Sequence, residues 1–325
     1  MKRSKTAALL VACSALVAAG GQHAHAQAYP AKPVRIVIPL SPGGTTDVPG
    51  RILTQRLSEA MGQQFFVENR TGAGGTIGAE GVAKALPDGY TLLLTATPHV
   101  ITANLYKNLA YNALTDFTPV ARMATGPYVL VVHPSLGVNS VRELIALAKA
   151  KPGSIDFASS GNGSAQHLVG ALFATMAGVQ LNHVPYKGSG PATNDMLAGV
   201  VKVGFPGTPI AIPHSKSGRL KALGVTTPQR SAQMPDVPTI AEAGVPGYEA
   251  VVWTGLIAPA KTPPEIVTRL NAEINKLLRS QDVQQQLSAS GVDAAPLTPA
   301  EFGAYLKDEF DKWGKVVRDS GATVN

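Results

Sequence analysis

Short, almost unbroken apolar runs recur along the chain, and stretches of helical spacing separate them. VRIVIP (34–39), YTLLLTA (90–96) and YVLVVHP (128–134) are the clearest runs. A strand with one wet face alternates apolar and polar residues. These do not, so both of their faces must be covered. Between them, ILTQRLSEAMG and AQHLVGALFATMAG carry apolar residues at helical spacing and end at Gly62 and Gly178, which read as stops. The pattern predicts an α/β protein whose parallel sheet lies between helical layers.

Ser140, Thr262 and Thr298 are each followed three residues later by a glutamate (Glu143, Glu265, Glu301) and read as capping boxes opening helices. In the last of these helices Phe302, Leu306, Phe310, Trp313 and Val317 recur at helical spacing, so one face packs inward. The alternation restarts after Pro119. Two lobes follow: residues 29–124 with 251–325 as a discontinuous lobe 1, and residues 125–250 as lobe 2. The chain would leave the first lobe near PVARMATGPYVLVV and return near YEAVVWTGLIAPA.

Residues 1–26 read as a secretory signal peptide: a basic MKRSK, an apolar stretch, then small residues at the cut, with Ala28 as the other cleavage choice. The protein would then be periplasmic. LVAC, ending at Cys13, resembles a lipobox, but the apolar run continues past it, which makes lipidation the weaker reading. Removing Lys2, Arg3 and Lys5 from the 28 basic residues lowers the net charge from +7 to +4. The remaining charges are scattered without a basic run, which argues against nucleic acid as a partner. Cys13 is the sole cysteine, so the processed chain has neither disulfide nor thiol nucleophile.

Three glycine-rich loops sit where strands meet helices: PGGTTD (42–47), GAGGT (72–76) and SSGNGS (159–164). Helix N-terminal amides lack intrahelical partners and favour negative charge, and glycine lets a ligand approach the backbone. Ligands of open α/β sheets sit beyond the carboxyl ends of strands. These loops therefore point to a small anion held by neutral donors across a cleft. Asp47 and Ser164 also stand where helix caps belong, and capping is the alternative role of each.

Enzymatic readings find less. Ser164 and His167 stand three apart, but Gln166 occupies the second glycine of a nucleophile elbow. Ile77 takes the third glycine position of a dinucleotide fingerprint. The histidines lie far apart in sequence without metal-ligand spacing, so neither a metal nor a cofactor is expected.

Taken in order, YPAKPVRIVIPLSPGGTTD, VENRTGAGGTIGAEGVAKALPDGYTLL, FASSGNGSAQHL, HVPYKGSGPA, RSAQMPDVPTIAEAGVPGYE and WTGLIAPAKTP resemble the periplasmic receptors of tripartite tricarboxylate transporters, the Bug proteins. The resemblance covers essentially the whole chain after the signal segment. It implies a two-lobe type II periplasmic binding protein fold with a ligand cleft between lobes and a hinge of two crossing strands. It implies a non-enzymatic, monomeric receptor that closes on a small organic carboxylate and delivers it to membrane permease subunits. A receptor reporting to a membrane sensor is one alternative, and an exported serine hydrolase using Ser164 is another.

Carried over by position, the carboxylate loops would be Ser41, Gly43, Gly44 and Asp47 on one lobe and Ser159, Ser160, Gly161, Asn162 and Ser164 on the other. Gly74, Gly75, Thr97 and Tyr186 would complete the pocket. Pro206 stands where an acidic residue often follows Phe in this family, which makes a ligand amino group a poorer fit. Leu40 and Ser41 replace a Phe-Pro type pair. Pro49 and Gly50 depart from the family's branched or small apolar residues, and Gly50 is expected to weaken its helix by up to ~1 kcal/mol.

Overall fold

The computed structural model describes residues 29–43 and 46–323. The signal segment, Cys13 and Gly44 lie outside the described residues.

The chain begins with β1 (Val34–Ile38), α1 (Asp47–Met61), β2 (Phe65–Asn69), α2 (Thr76–Ala83), β3 (Thr91–Ala96), α3 (Pro98–Leu105) and the long β4 (Phe117–Pro127). It continues with β5 (Val129–Val132), α4 (Val141–Ala150), β6 (Asp156–Ser159), α5 (Ala165–Ala177), β7 (Asn182–Pro185), α6 (Ser189–Leu197), β8 (Val203–Gly204), α7 (Thr208–Lys216) and β9 (Lys221–Val225). It closes with β10 (Val251–Pro259), α8 (Pro264–Leu278), α9 (Gln281–Ala289), β11 (Asp293–Ala294) and α10 (Pro299–Ser320). One sheet has the order β11-β4-β10-β3-β1-β2, the other β7-β6-β8-β5-β9. The architecture is α/β with two lobes.

The apolar runs are buried on both faces, as their lack of alternation requires. Val37, Leu93 and Ile257 pack in a cluster with α2, α3 and α10 residues, while Ile36, Leu92 and Leu94 pack with α1, α8 and α9 residues. In the second sheet Leu130 and Val132 join residues of α4 and α5, and Val129 and Val131 join residues of α6 and α7. The sheets are mixed, however, and not parallel throughout. β10 is antiparallel to both β3 and β4, and β5 is antiparallel to β8 and β9. Connectivity is the cause: β4 carries the chain out of the first sheet and β10 brings it back, so the two run in opposite directions side by side.

At the crossing, the buried Thr226 ties both passages together. Its side-chain oxygen accepts the Tyr128 amide (2.8 Å), its amide donates to the Tyr128 carbonyl (3.0 Å) and its carbonyl accepts the Ala250 amide (2.9 Å).

Several helix ends follow local chemistry. Gly62 and Gly178 terminate α1 and α5 in the left-handed conformation, and Thr298 and Glu301 form a complete capping box on α10. Ser140 caps α4 by accepting the Glu143 amide. Thr262 does not cap: α8 starts one residue later, after Pro263, and the Thr262 hydroxyl donates to the Pro259 carbonyl instead. Gly50 has a packing reason. A Cβ there would lie 2.2 Å from Leu94 Cδ2 and 3.1 Å from Ile38 Cδ1, so the glycine lets α1 sit close against the sheet. Among the described residues, no helix is long and apolar enough to cross a membrane.

Candidate functional site

A cavity of about 890 Å³ lies between the two sheets. Leu40, Gly43, Val48, Gly74 and residues of α3 form one side. Ser160 to Gln166, Ser189 and the start of α7 form the other, with Tyr128 and Val252 from the crossing strands between them. Much of both walls comes from loops after strands and the first turns of the helices that follow, with the C-terminal ends of α3 and α9 added.

None of the described residues lining it carries a charge. Leu40, Val48, Pro98, Ile101, Leu105, Pro209, Ile210 and Val252 give it a largely apolar surface. Burial pushes the Tyr128 phenol well up, so it stays a neutral donor.

The glycine loop of the second lobe is more self-contained than its composition suggests. The Ser160 amide donates to Gln166 Oε1 (2.9 Å), the Gly161 amide to Ser159 Oγ (3.1 Å), the Gly163 amide to His167 Nδ1 (3.1 Å) and the Ser164 amide to the Gly161 carbonyl (3.2 Å). Ser164 caps α5 through the His167 amide at 3.3 Å. Among the lining residues, the amides of Asn162, Ala165 and Gln166 and the Ser160 hydroxyl have no protein acceptor among the described residues; nor, on the facing side, have the Gly74 amide and the Tyr106 hydroxyl, or, between the two, the Tyr128 hydroxyl. Together they form a neutral, two-sided set of donors.

Of the residues singled out from sequence, Gly43, Gly74, Ser160, Gly161, Asn162 and Ser164 line this cavity. Of the rest, Gly44 is outside the described residues and the remainder do not line the cavity. Ser41 is exposed outside the lining. Asp47 is buried, and its carboxylate accepts from the Gly43 amide (2.9 Å), Arg51 Nε (2.8 Å) and Asn69 Nδ2 (2.8 Å). Burial pushes that carboxyl up, but the bonds from Arg51, Gly43 and Asn69 outweigh it and hold it below its ordinary value. Asp47 therefore shapes the loop, and Thr46 occupies the cap position of α1. Gly75 sits against Pro39.

Thr97 is fully buried; its hydroxyl donates to the Val251 carbonyl and accepts the Trp253 amide, joining β3 to β10. Ser159 is also fully buried, with its hydroxyl between the Gly161 carbonyl and His183 Nε2 (2.6 Å). Tyr186 donates to Asp195 Oδ2 at 2.8 Å. Pro206 is buried behind the wall, where its carbonyl accepts the Val129 amide; its neighbour Gly207 does the lining.

Sequence reading missed three features. Tyr106 and Tyr128 reach the cavity from a helix end and a crossing point, and no motif marks them. Ser189, at the start of α6, receives a bond from Gln166 Nε2 (3.4 Å). His167 and His183, sixteen positions apart, stack with ring centroids 3.7 Å apart and planes at 2° beneath the glycine loop. The stack and the Gly163 bond occupy the His167 ring, and Ser164 meets only the backbone of His167, so the pair is not arranged as nucleophile and base. Among the described residues no cluster of three His, Cys, Asp or Glu stands ready for a metal ion.

The molecule is similar to several known proteins. BugT of Bordetella pertussis is 40% identical over 301 residues, spanning 92% of each chain. An R. palustris protein solved with adipate is 38% identical with a TM-score of 0.79, covering 91% of this chain and 99% of its own. MatC of Rhodopseudomonas palustris, solved with bound malate, is 32% identical with a TM-score of 0.74, covering 89% of this chain and all of its own at 100%. The family model described as the tripartite tricarboxylate transporter family receptor (TctC) matches residues 50–322. On that match and those identities, the chain belongs to the tripartite tricarboxylate transporter receptor family, the solute-binding family that includes the Bug proteins.

Proposed function

We propose that the chain is a periplasmic receptor that captures a small organic carboxylate in the cavity between its lobes and passes it, as a monomer without catalysis, to the membrane permease subunits of its transporter. The observation that carries this reading is the uncharged cavity, with neutral donors on both sides and an apolar wall between. A carboxylate fits the first-turn amides of α5, where the helix dipole adds to hydrogen bonding. Relatives solved with adipate and with malate support an acid as the guest.

The wall narrows the choice. A ligand with a methylene body buries apolar surface that a hydroxylated acid would leave facing Ile101, Leu105 and Ile210, at about 0.8 kcal/mol per buried methylene. We therefore place adipate-like acids ahead of malate-like ones. Lobe boundaries near residues 124 and 250 fit this function, because β4 and β10 cross there and a ligand bridging both walls favours the closed arrangement.

Thermal unfolding of the processed chain against adipate, malate, citrate and benzoate tests the proposal. A binding acid at about 100 times its Kd is expected to add roughly 2.7 kcal/mol of apparent stability. If no acid of the panel shifts refolded, ligand-free protein, the carboxylate reading is wrong. Cleavage of exported protein after Ala26, read by mass spectrometry, checks the periplasmic placement.

A further inference from the structure

A second cavity, of about 300 Å³, lies on the other side of the crossing strands. Tyr128 and Val252 face the large cavity, whereas their neighbours Pro127 and Val251 line this one, as alternation along a strand dictates. Both lobes contribute walls: Arg122 of β4, Thr227 beyond β9, Glu249 ahead of β10, Asp293 of β11 and Tyr305 of α10.

Its chemistry is the reverse of the cleft's. The Arg122 Nε donates to the Ala295 carbonyl (3.0 Å), and the guanidinium stands 4.8 Å from the centre of the Tyr305 ring. Among the described residues, no carboxylate lies within 4.0 Å of it. Glu249 and Asp293 have no cationic partner within that reach either; Arg230 also lines the cavity, but its guanidinium is already paired with Glu242 at 3.0 Å, which leaves Arg122 as the unpaired cation of the lining. Burial pushes the Asp293 carboxyl up, partly offset by Gln233, as befits an acid without a cation. The Tyr305 hydroxyl oxygen is buried and has no hydrogen-bond partner among the described residues.

Opposite charges thus share one small space but are held apart instead of meeting each other. An acid alone would satisfy the arginine and face two carboxylates; an amine alone would do the converse. A molecule bearing both signs matches both sides. The volume is at the lower end of small-molecule pockets, about 300–1,000 Å³. We propose that this cavity is a second binding site, for a small zwitterion whose carboxylate meets Arg122 and whose ammonium meets Glu249 and Asp293.

Calorimetric titration of the processed chain with glycine, L-alanine, L-glutamine and γ-aminobutyrate, with propionate and ethylamine as single-charge controls, tests this. At least one zwitterion is expected to bind saturably and about tenfold or more tighter than either control, a difference of at least ~1.4 kcal/mol. Arg122→Gln and Glu249→Gln should each weaken that binding by a similar factor. Thr227→Trp, which leaves every charge in place and fills the space with an indole, should abolish it, while Ser160→Trp in the cleft should not. Absence of saturable binding for all four zwitterions overturns the proposal. So do controls that bind equally well, or binding that survives Thr227→Trp and is lost in Ser160→Trp, which would place the zwitterion in the cleft.

Discussion

At the scale of single residues, two positions change meaning between sequence and structure. Gly50 looks like a helix defect, and propensity alone says that alanine should help by up to ~1 kcal/mol. The close approach of Leu94 and Ile38 reverses that sign. Gly50→Ala is expected to destabilise by about 1–3 kcal/mol, since overpacking forces Leu94 from its rotamer; a raised midpoint in urea would refute the packing argument. Asp47 is the second case. It looks like a cap or ligand contact, but it gathers three donors and fixes the loop above the cleft. Asp47→Ala leaves the Gly43 amide without its acceptor and Asn69 Nδ2 with only the Leu40 carbonyl, and should cost about 1–3 kcal/mol. Carboxylate affinity should fall with it through loss of loop order, an effect that calorimetry at fixed pH would read.

At the scale of elements, the stacked imidazoles beneath the glycine loop join α5 to β7. Burial pushes both His167 and His183 down to about 4 from 6.5, and His183 itself further disfavours a charge on His167. The fold therefore prefers both rings neutral, while the unfolded chain takes up protons from about pH 6.5 downward. Stability from the pair is complete above pH 6.5, declines as pH falls toward 4 and levels off below. His99, likewise pushed down to about 4 by burial, adds to the same window. The discriminating measurement is thus the slope of unfolding free energy against pH, which His183→Gln should flatten. An unchanged slope would mean that the pair is not coupled to folding.

The crossing strands pose the other element-scale question. Thr226→Val keeps the shape but strips the acceptor from the Tyr128 amide. An unpaired buried amide should cost about 1–3 kcal/mol, which chemical denaturation would detect.

At the scale of the whole molecule, two hydrogen bonds join the lobes directly. Thr208 Oγ1 donates to the Gly291 carbonyl at 2.6 Å, and Asn162 Nδ2 donates to the Thr323 carbonyl at 2.7 Å. Gly163, with φ at +72°, brings the second lobe's loop against Leu105 of the first, where a Cβ would stand 2.8 Å from the leucine. Such bonds exist only when the lobes are together, so they add to closure without touching a ligand. Thr208→Val is expected to lower carboxylate affinity about fivefold, equivalent to roughly 1 kcal/mol for one hydrogen bond. Titration of the wild type and the variant with the same acid checks it, and equal Kd values would show that this contact does not bias closure.

The sequence by itself determined the layered α/β architecture, most helix ends and the position of the glycine loops, because strand burial, capping and positive φ are local properties of a few neighbouring residues. It also carried the family, since the ordered motifs span the chain. Tertiary structure decided what each polar group does. Thr97, Ser159 and Asp47 turned inward to hold strands and loops, and Tyr106 and Tyr128 came to the cavity without any motif. Strand direction belonged to tertiary structure too, because a chain that leaves a sheet and returns must reverse there. Donors and acceptors find their partners across separations of tens of residues, as Thr226 does with Tyr128. Which of them remain free for a ligand therefore depends on which neighbours folding brings within hydrogen-bond reach.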